Sequence, residues 1–121
     1  MENFSFENLV VFIKARLLVK KIYLLTAEFP KHELYGLTSQ FRRSSISIVS
    51  NIAESSGRRG NREKIYFLEI AYGSLTESYS QLIISGDLGY VDSEAIEDLK
   101  PLYNEVARLL AGLTKSFECK F

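Results

Sequence analysis

The chain reads as an all-α protein, an antiparallel up-down-up-down four-helix bundle, on three observations. Apolar residues recur at spacings of three, four and seven through four long stretches, the period of an amphipathic helix. Only 2 prolines and 7 glycines interrupt 121 residues, so the elements can be long. The connections left between them are short, about two to nine residues, which makes consecutive helices antiparallel neighbours. A chain of this length builds one core without staples, so residues 1–121 are expected to form a single domain.

The first helix is expected over residues 6–27, with Ser5 as N-cap and Glu7 and Asn8 in the first turn. Its apolar content exceeds one stripe. Leu9, Phe12, Ile13 and Leu17 point one way, while Val11, Ala15, Leu18, Ile22 and Leu25 point another. A helix apolar on two sides must be covered by more than its own core. Pro30 and Gly36 mark the connection 28–36, with room for one 3₁₀ turn after the proline. The second helix is expected over 37–56, where Phe41, Ile48, Val49 and Ile52 keep the helical spacing despite β-branched residues. Its other face is polar from Gln40 through Arg43, Ser44, Ser47, Ser50, Asn51 and Glu54 to Arg58. Gly57 and Gly60 then bracket Arg58 and Arg59, where the helix stops and the chain turns back.

The third helix is expected over 61–88, capped by Asn61. A row of small residues, Ala71, Ser74, Ser78 and Ser85, lets another backbone approach, and Tyr72 and Tyr79 lean over one groove. After the turn 89–92, Asp92 is the expected N-cap of the fourth helix, with Val91 and Ile96 as a hydrophobic staple. Its stripe runs through Leu99, Val106, Leu110, Leu113 and Phe117. Pro101 sits inside, at a cost of about 3 kcal/mol. Because the apolar period survives across it, one kinked helix is expected rather than two.

Charge is neutral in sum and uneven in place. Residues 36–64 hold six basic residues (Arg42, Arg43, Arg58, Arg59, Arg62, Lys64) against two acids, whereas residues 87–105 hold six acids against one lysine. Cys119 is alone, so no intrachain disulfide forms and a reducing compartment is expected. The N-terminal MENFSFENL carries acids where a signal peptide carries lysines, and no apolar run approaches the roughly 20 residues of a membrane span. The expectation is a cytoplasmic protein with no membrane partner.

Candidate functional residues follow from these patterns. Arg58, Arg59, Arg62 and Lys64 at the second turn, with Arg42 and Arg43 further back, can contact phosphate. Arg43 lies about 22 Å along the helix from Arg58, so the two groups cannot share one pocket. Folding back about the turn places Arg43 beside Glu77, where an ion pair would orient the helices. Asn51 and Glu54, with Glu77, read as a polar seam between helices or subunits. No second carboxylate, histidine or metal-ligand set stands with them to make catalysis, so no catalytic residue, metal or cofactor is expected. Tyr66, Tyr72 and Tyr79 read as core residues with a rim hydroxyl, with base stacking as the alternative. His32, the only histidine, reads as a surface residue in a polar loop.

The runs Tyr35-Gly36-Leu37-Thr38-Ser39-Gln40, Arg42-Arg43-Ser44 and Asn51-Ile52-Ala53-Glu54-Ser55-Ser56-Gly57-Arg58 resemble one signature. It is that of the bacterial four-helix-bundle proteins named for open reading frames inside intervening sequences of 23S ribosomal RNA. Phe67-Leu68, Ile70-Ala71, Gly73-Ser74, Glu77 and Leu88-Gly89-Tyr90 extend the likeness. Ser55 departs from it, standing where the pattern has glycine. The resemblance implies a non-enzymatic protein and homo-oligomeric rings, pentamers among them. It also implies a relation to accessory proteins of diversity-generating retroelements. Two functions are therefore expected to compete. One is an oligomeric RNA- or DNA-binding accessory protein using the arginine turn and Lys14, Lys20 and Lys21. The other is an assembly module that docks on a protein partner.

Overall fold

The computed structural model describes residues 5–118. A 3₁₀ turn at Ser5–Asn8 precedes α1 (Val10–Thr26), and another at Lys31–Glu33 precedes α2 (Leu37–Ser56); α3 spans Asn61–Asp87 and α4 Ser93–Glu118. The protein is all-α, with four α-helices among the described residues. Cys119 lies outside the described residues.

One expected start and one expected cap differ. Leu9, not Ser5, precedes α1, because the chain from Ser5 to Asn8 closes a tighter turn in which the Leu9 N–H reaches the Phe6 carbonyl. Asn61 is the first residue of α3 rather than its cap. Gly60 takes the extended cap conformation, and the Asn61 side chain instead donates to the Phe117 carbonyl of α4 at 3.4 Å. Asp92 caps α4 as expected, its carboxylate accepting the Ala95 N–H at 2.8 Å. Helix α4 runs through Pro101 without a break.

Each helix packs on two others: α1 on α2 and α4, and α3 on α2 and α4. Among the described residues the diagonal pairs do not meet. The core between them is made of Val11, Ala15, Leu18 and Ile22 from α1, Phe41, Ile48 and Ile52 from α2, Leu68, Ala71, Leu75 and Leu82 from α3, and Leu99, Val106 and Leu110 from α4. A buried side chain of Leu, Ile or Phe size contributes about 1.5–3 kcal/mol, so these layers carry most of the stability.

The seam between α2 and α3 is polar. Ser44 is buried and donates to Gln81 Oε1 at 2.6 Å, the hydroxyls of Ser47 and Ser74 lie 2.8 Å apart, and Ser55 Oγ donates to the Lys64 carbonyl at 2.9 Å. Small residues let the two backbones close up, and each hydroxyl finds a partner there, which removes the cost of burying it. Ser55, the departure from the family pattern, is buried in this seam and bonded across it. At the other end of the molecule, Phe29 closes the core, its ring 6.4 Å from that of Phe41 and 5.4 Å from that of Tyr90.

Candidate nucleic-acid interface

The turn between α2 and α3 needs no left-handed residue. Gly57 ends α2 at φ −83° and Gly60 opens α3 at φ −90°; among the described residues only Gly89 has positive φ, at 78°. The two glycines keep the turn small and bare, so the arginines between and after them dominate its surface.

Those arginines divide into two kinds. Arg58 is half-buried. Its guanidinium lies 4.6 Å from the Phe67 ring centroid and donates to Glu54 Oε2 at 2.7 Å, while Nε is buried without a hydrogen-bond partner. Arg59 and Arg62 are exposed, and among the described residues no acid or carbonyl engages either guanidinium. Lys64, one turn into α3, is also committed: its ammonium reaches the Ser55 and Ser56 carbonyls at 3.4 and 3.3 Å and lies 5.7 Å from the Phe117 ring. A cation at the exposed carbonyls of a helix end is favourable, so Lys64 fastens the end of α2 to α3.

The earlier pair separates in the same way. Arg42 belongs to the packing of α1 on α2, with Nε donating to Thr26 Oγ1 at 2.8 Å and the guanidinium 4.6 Å from the Tyr23 ring. Arg43 is exposed and lines a polar groove with Gln40, Ser47, Ser74 and Glu77. The expected ion pair between Arg43 and Glu77 does not form. Both border the groove, but Glu77 accepts instead from Gln81 Nε2 at 3.2 Å, one turn along its own helix. Asn51 belongs to the seam, its amide donating to the Ser47 carbonyl at 2.8 Å. Glu54 serves Arg58. On α1, Lys14 pairs with Glu105 at 3.4 Å, and Lys20 and Lys21 are exposed.

A cluster that spacing could not show ties the opposite end. Glu33 Oε1 accepts the Leu37 N–H at 3.1 Å, so it caps α2, where Gly36 has no side chain to do so. Its other oxygen accepts the Tyr90 hydroxyl at 2.8 Å. These two bonds hold the Glu33 carboxyl below its usual range, the backbone donor first, and the same bond pushes the Tyr90 phenol up. His32 stands exposed beside them, 3.4 Å from the Tyr90 oxygen. Glu33 lies in the connection, outside every periodic stretch. The only signal was an acid four residues ahead of a helix that starts after glycine.

Among the described residues no group of three or more His, Cys, Asp or Glu is placed to hold a metal ion. No helix there is long and apolar enough to cross a membrane. The family described as 23S rRNA-intervening sequence protein matches the chain over residues 7–112. The chain belongs to the 23S rRNA-intervening sequence protein family. The match takes in all of α1 to α3 and α4 as far as Gly112, so the arginine turn, the serine seam and the Glu33–Tyr90 tie all lie within the part shared with that family. No curated protein matches the chain.

Proposed function

We propose that this protein is a non-catalytic, oligomeric RNA-binding accessory protein that holds phosphates at the turn between α2 and α3. One observation carries the reading. Arg59 and Arg62 are exposed at one tip and, among the described residues, make no hydrogen bond or ion pair, whereas Arg42, Arg58 and Lys64 are engaged within the bundle. Two unengaged guanidiniums on an open turn offer charge without a fixed geometry for base edges, so they suit phosphate. The family description ties its members to 23S rRNA, which favours RNA over DNA. The antiparallel up-down order belongs to this reading, because the contacts between neighbours run in opposite sense: Ser55 with Lys64, Ser47 with Ser74 and Ser44 with Gln81. That order puts the arginine turn at the end away from the acidic residues that follow Asp87.

A row of exposed apolar side chains on α1, Val10, Ile13, Leu17 and Leu24, supports self-association into a ring, with five copies as the family resemblance implies. A ring would repeat the arginine tip, and weak contacts would add through multivalency. The same row favours the second reading, an assembly module for a protein partner in the cytoplasm.

The test is binding to single-stranded RNA by the wild type and by Arg59→Ala/Arg62→Ala, across a salt series from about 50 to 200 mM. Wild-type affinity should fall steeply with salt, and the double change should remove most of the binding at unchanged helicity and oligomer size. RNA binding equal in both proteins would end the phosphate role of the turn. No binding by wild type at the lowest salt would give the lead to the assembly reading.

A further inference from the structure

Between α3 and α4, on a side of the bundle that the arginine turn does not border, lies a groove of about 200 Å³ whose lining includes Tyr72, Thr76, Tyr79, Lys100, Tyr103 and Asn104. Its back wall is fixed. The Tyr103 side chain is buried, its hydroxyl 2.6 Å from that of Ser78, and the Tyr79 ring meets it edge-on with centroids 5.1 Å apart. Its mouth is open: Tyr72 is 44% exposed, and Asn104 is exposed with an amide that makes no bond to the protein. No carboxylate lines the groove. The one cation, Lys100, is 2.8 Å from Glu97 on the next turn of α4, an exposed pair of the kind that exchanges readily for another anion.

We propose that this groove binds a nucleotide. The base lies against the rings of Tyr72 and Tyr79, the Asn104 amide gives a donor and an acceptor to its edge, and the phosphate takes the place of Glu97 beside Lys100. Each part of the ligand answers a group in the groove. A planar π-face matches the tyrosines, a mixed hydrogen-bonding edge matches an amide, and a single anion matches a single cation whose present partner is an exposed carboxylate. An aliphatic side chain from a partner would leave Asn104 and Lys100 unused. A bare phosphate would find only one cation and no second donor fork. The same chemistry is presented by a free nucleotide or by one residue of a single strand. The site stands whether or not the arginine turn binds RNA.

The experiment uses the full-length protein and follows the Asn104 side-chain amide by NMR while adenosine 5′-monophosphate, adenosine, ribose 5-phosphate or a short oligoadenylate is added. The monophosphate should bind saturably with a dissociation constant of about 1 mM or tighter, adenosine several-fold more weakly, and ribose 5-phosphate not measurably. Tyr72→Ala should weaken the monophosphate about tenfold and Tyr72→Phe should restore it, because the ring face and not the hydroxyl makes the contact. Arg59→Ala/Arg62→Ala should leave it unchanged. A tighter oligoadenylate assigns the site to a strand, and a tighter monophosphate assigns it to a free nucleotide. The proposal is overturned if no saturable shift occurs at about 10 mM monophosphate. It is equally overturned if ribose 5-phosphate binds as well, or if Tyr72→Ala with an unchanged thermal melt binds like wild type.

Discussion

Arg58 and its neighbours Arg59 and Arg62 look alike in sequence, and the structure predicts that they fail in opposite assays. Arg58→Ala removes a guanidinium stacked on Phe67 and paired with Glu54 at 2.7 Å. The stacking contributes about 0.5–1 kcal/mol at a partly exposed site. The i,i+4 pair adds about 0.3–0.5 kcal/mol. Against these stands the buried Nε with no partner, whose removal returns part of the loss. The net cost is therefore about 1 kcal/mol, which for a domain of this size lowers the melting temperature by about 3–5 °C. Glu54→Gln should reproduce only the smaller share. Arg59→Ala/Arg62→Ala should leave the melt within about 1 °C, because both side chains are exposed and neither makes a hydrogen bond or ion pair among the described residues. In the RNA salt series the order reverses. Each lost phosphate contact lowers the slope of log K against log salt by about 0.7 for single strands, so the double change should reduce it by about 1.4 and Arg58→Ala by much less. Calorimetry and the salt series on the same protein samples decide it. An Arg58→Ala melt equal to wild type would show that the Phe67 contact holds nothing. An unchanged slope in the double variant would remove the phosphate contacts from the turn.

Four further outcomes follow from the geometry. Gly73→Ala should stabilise by about 0.5–1 kcal/mol, since the position is exposed in mid-helix and an added Cβ meets nothing within 4 Å. Gly89→Ala should cost about 1–2 kcal/mol, since its φ of 78° is left-handed; chemical denaturation of both variants reads the contrast. Ser78→Ala strips the partner from the buried Tyr103 hydroxyl and should cost about 1–3 kcal/mol, while Ser78→Ala/Tyr103→Phe should cost less than the sum of the single changes; a double-mutant cycle measures the difference. The Glu33–Tyr90 bond should bound the stable pH range from both sides. The Glu33 carboxyl is depressed, so its contribution is present above the ordinary carboxyl range and is lost as pH falls through the folded value. The Tyr90 phenol is raised, so its contribution is complete below about pH 10 and is lost as pH rises through the folded value. Tyr90→Phe should flatten the alkaline limb of a melting-temperature profile, and Glu33→Gln should flatten both.

The all-α class, the extents of α2 and α3 to within a residue and the start of α4 were written in the chain, because an apolar period of 3.6 and the glycines that interrupt it are local properties. So was the Asp92 cap, which needs only its own following turn. The start of α1 and the cap of α3 were less legible. At residues 5–8 the α and 3₁₀ turns compete closely, and the distant Phe117 carbonyl draws the Asn61 side chain out of the cap. The division of the basic residues belongs to the tertiary structure alone. Arg42 is engaged because Thr26 and Tyr23 of another helix lie beside it, Arg58 because Phe67 does, and Lys64 because the end of α2 does; Arg59 and Arg62 meet no such neighbour. The same holds for Ser44 and Ser47, which read only as part of a polar face, and for Ser55: all three bond across to α3. A helix face is polar or apolar by composition, but whether a polar face meets water or another polar face is decided only when the helices pack. Glu33 and Tyr90, 57 residues apart, are the extreme case, since no local pattern can announce a bond that exists only once both ends of the chain's path are in place.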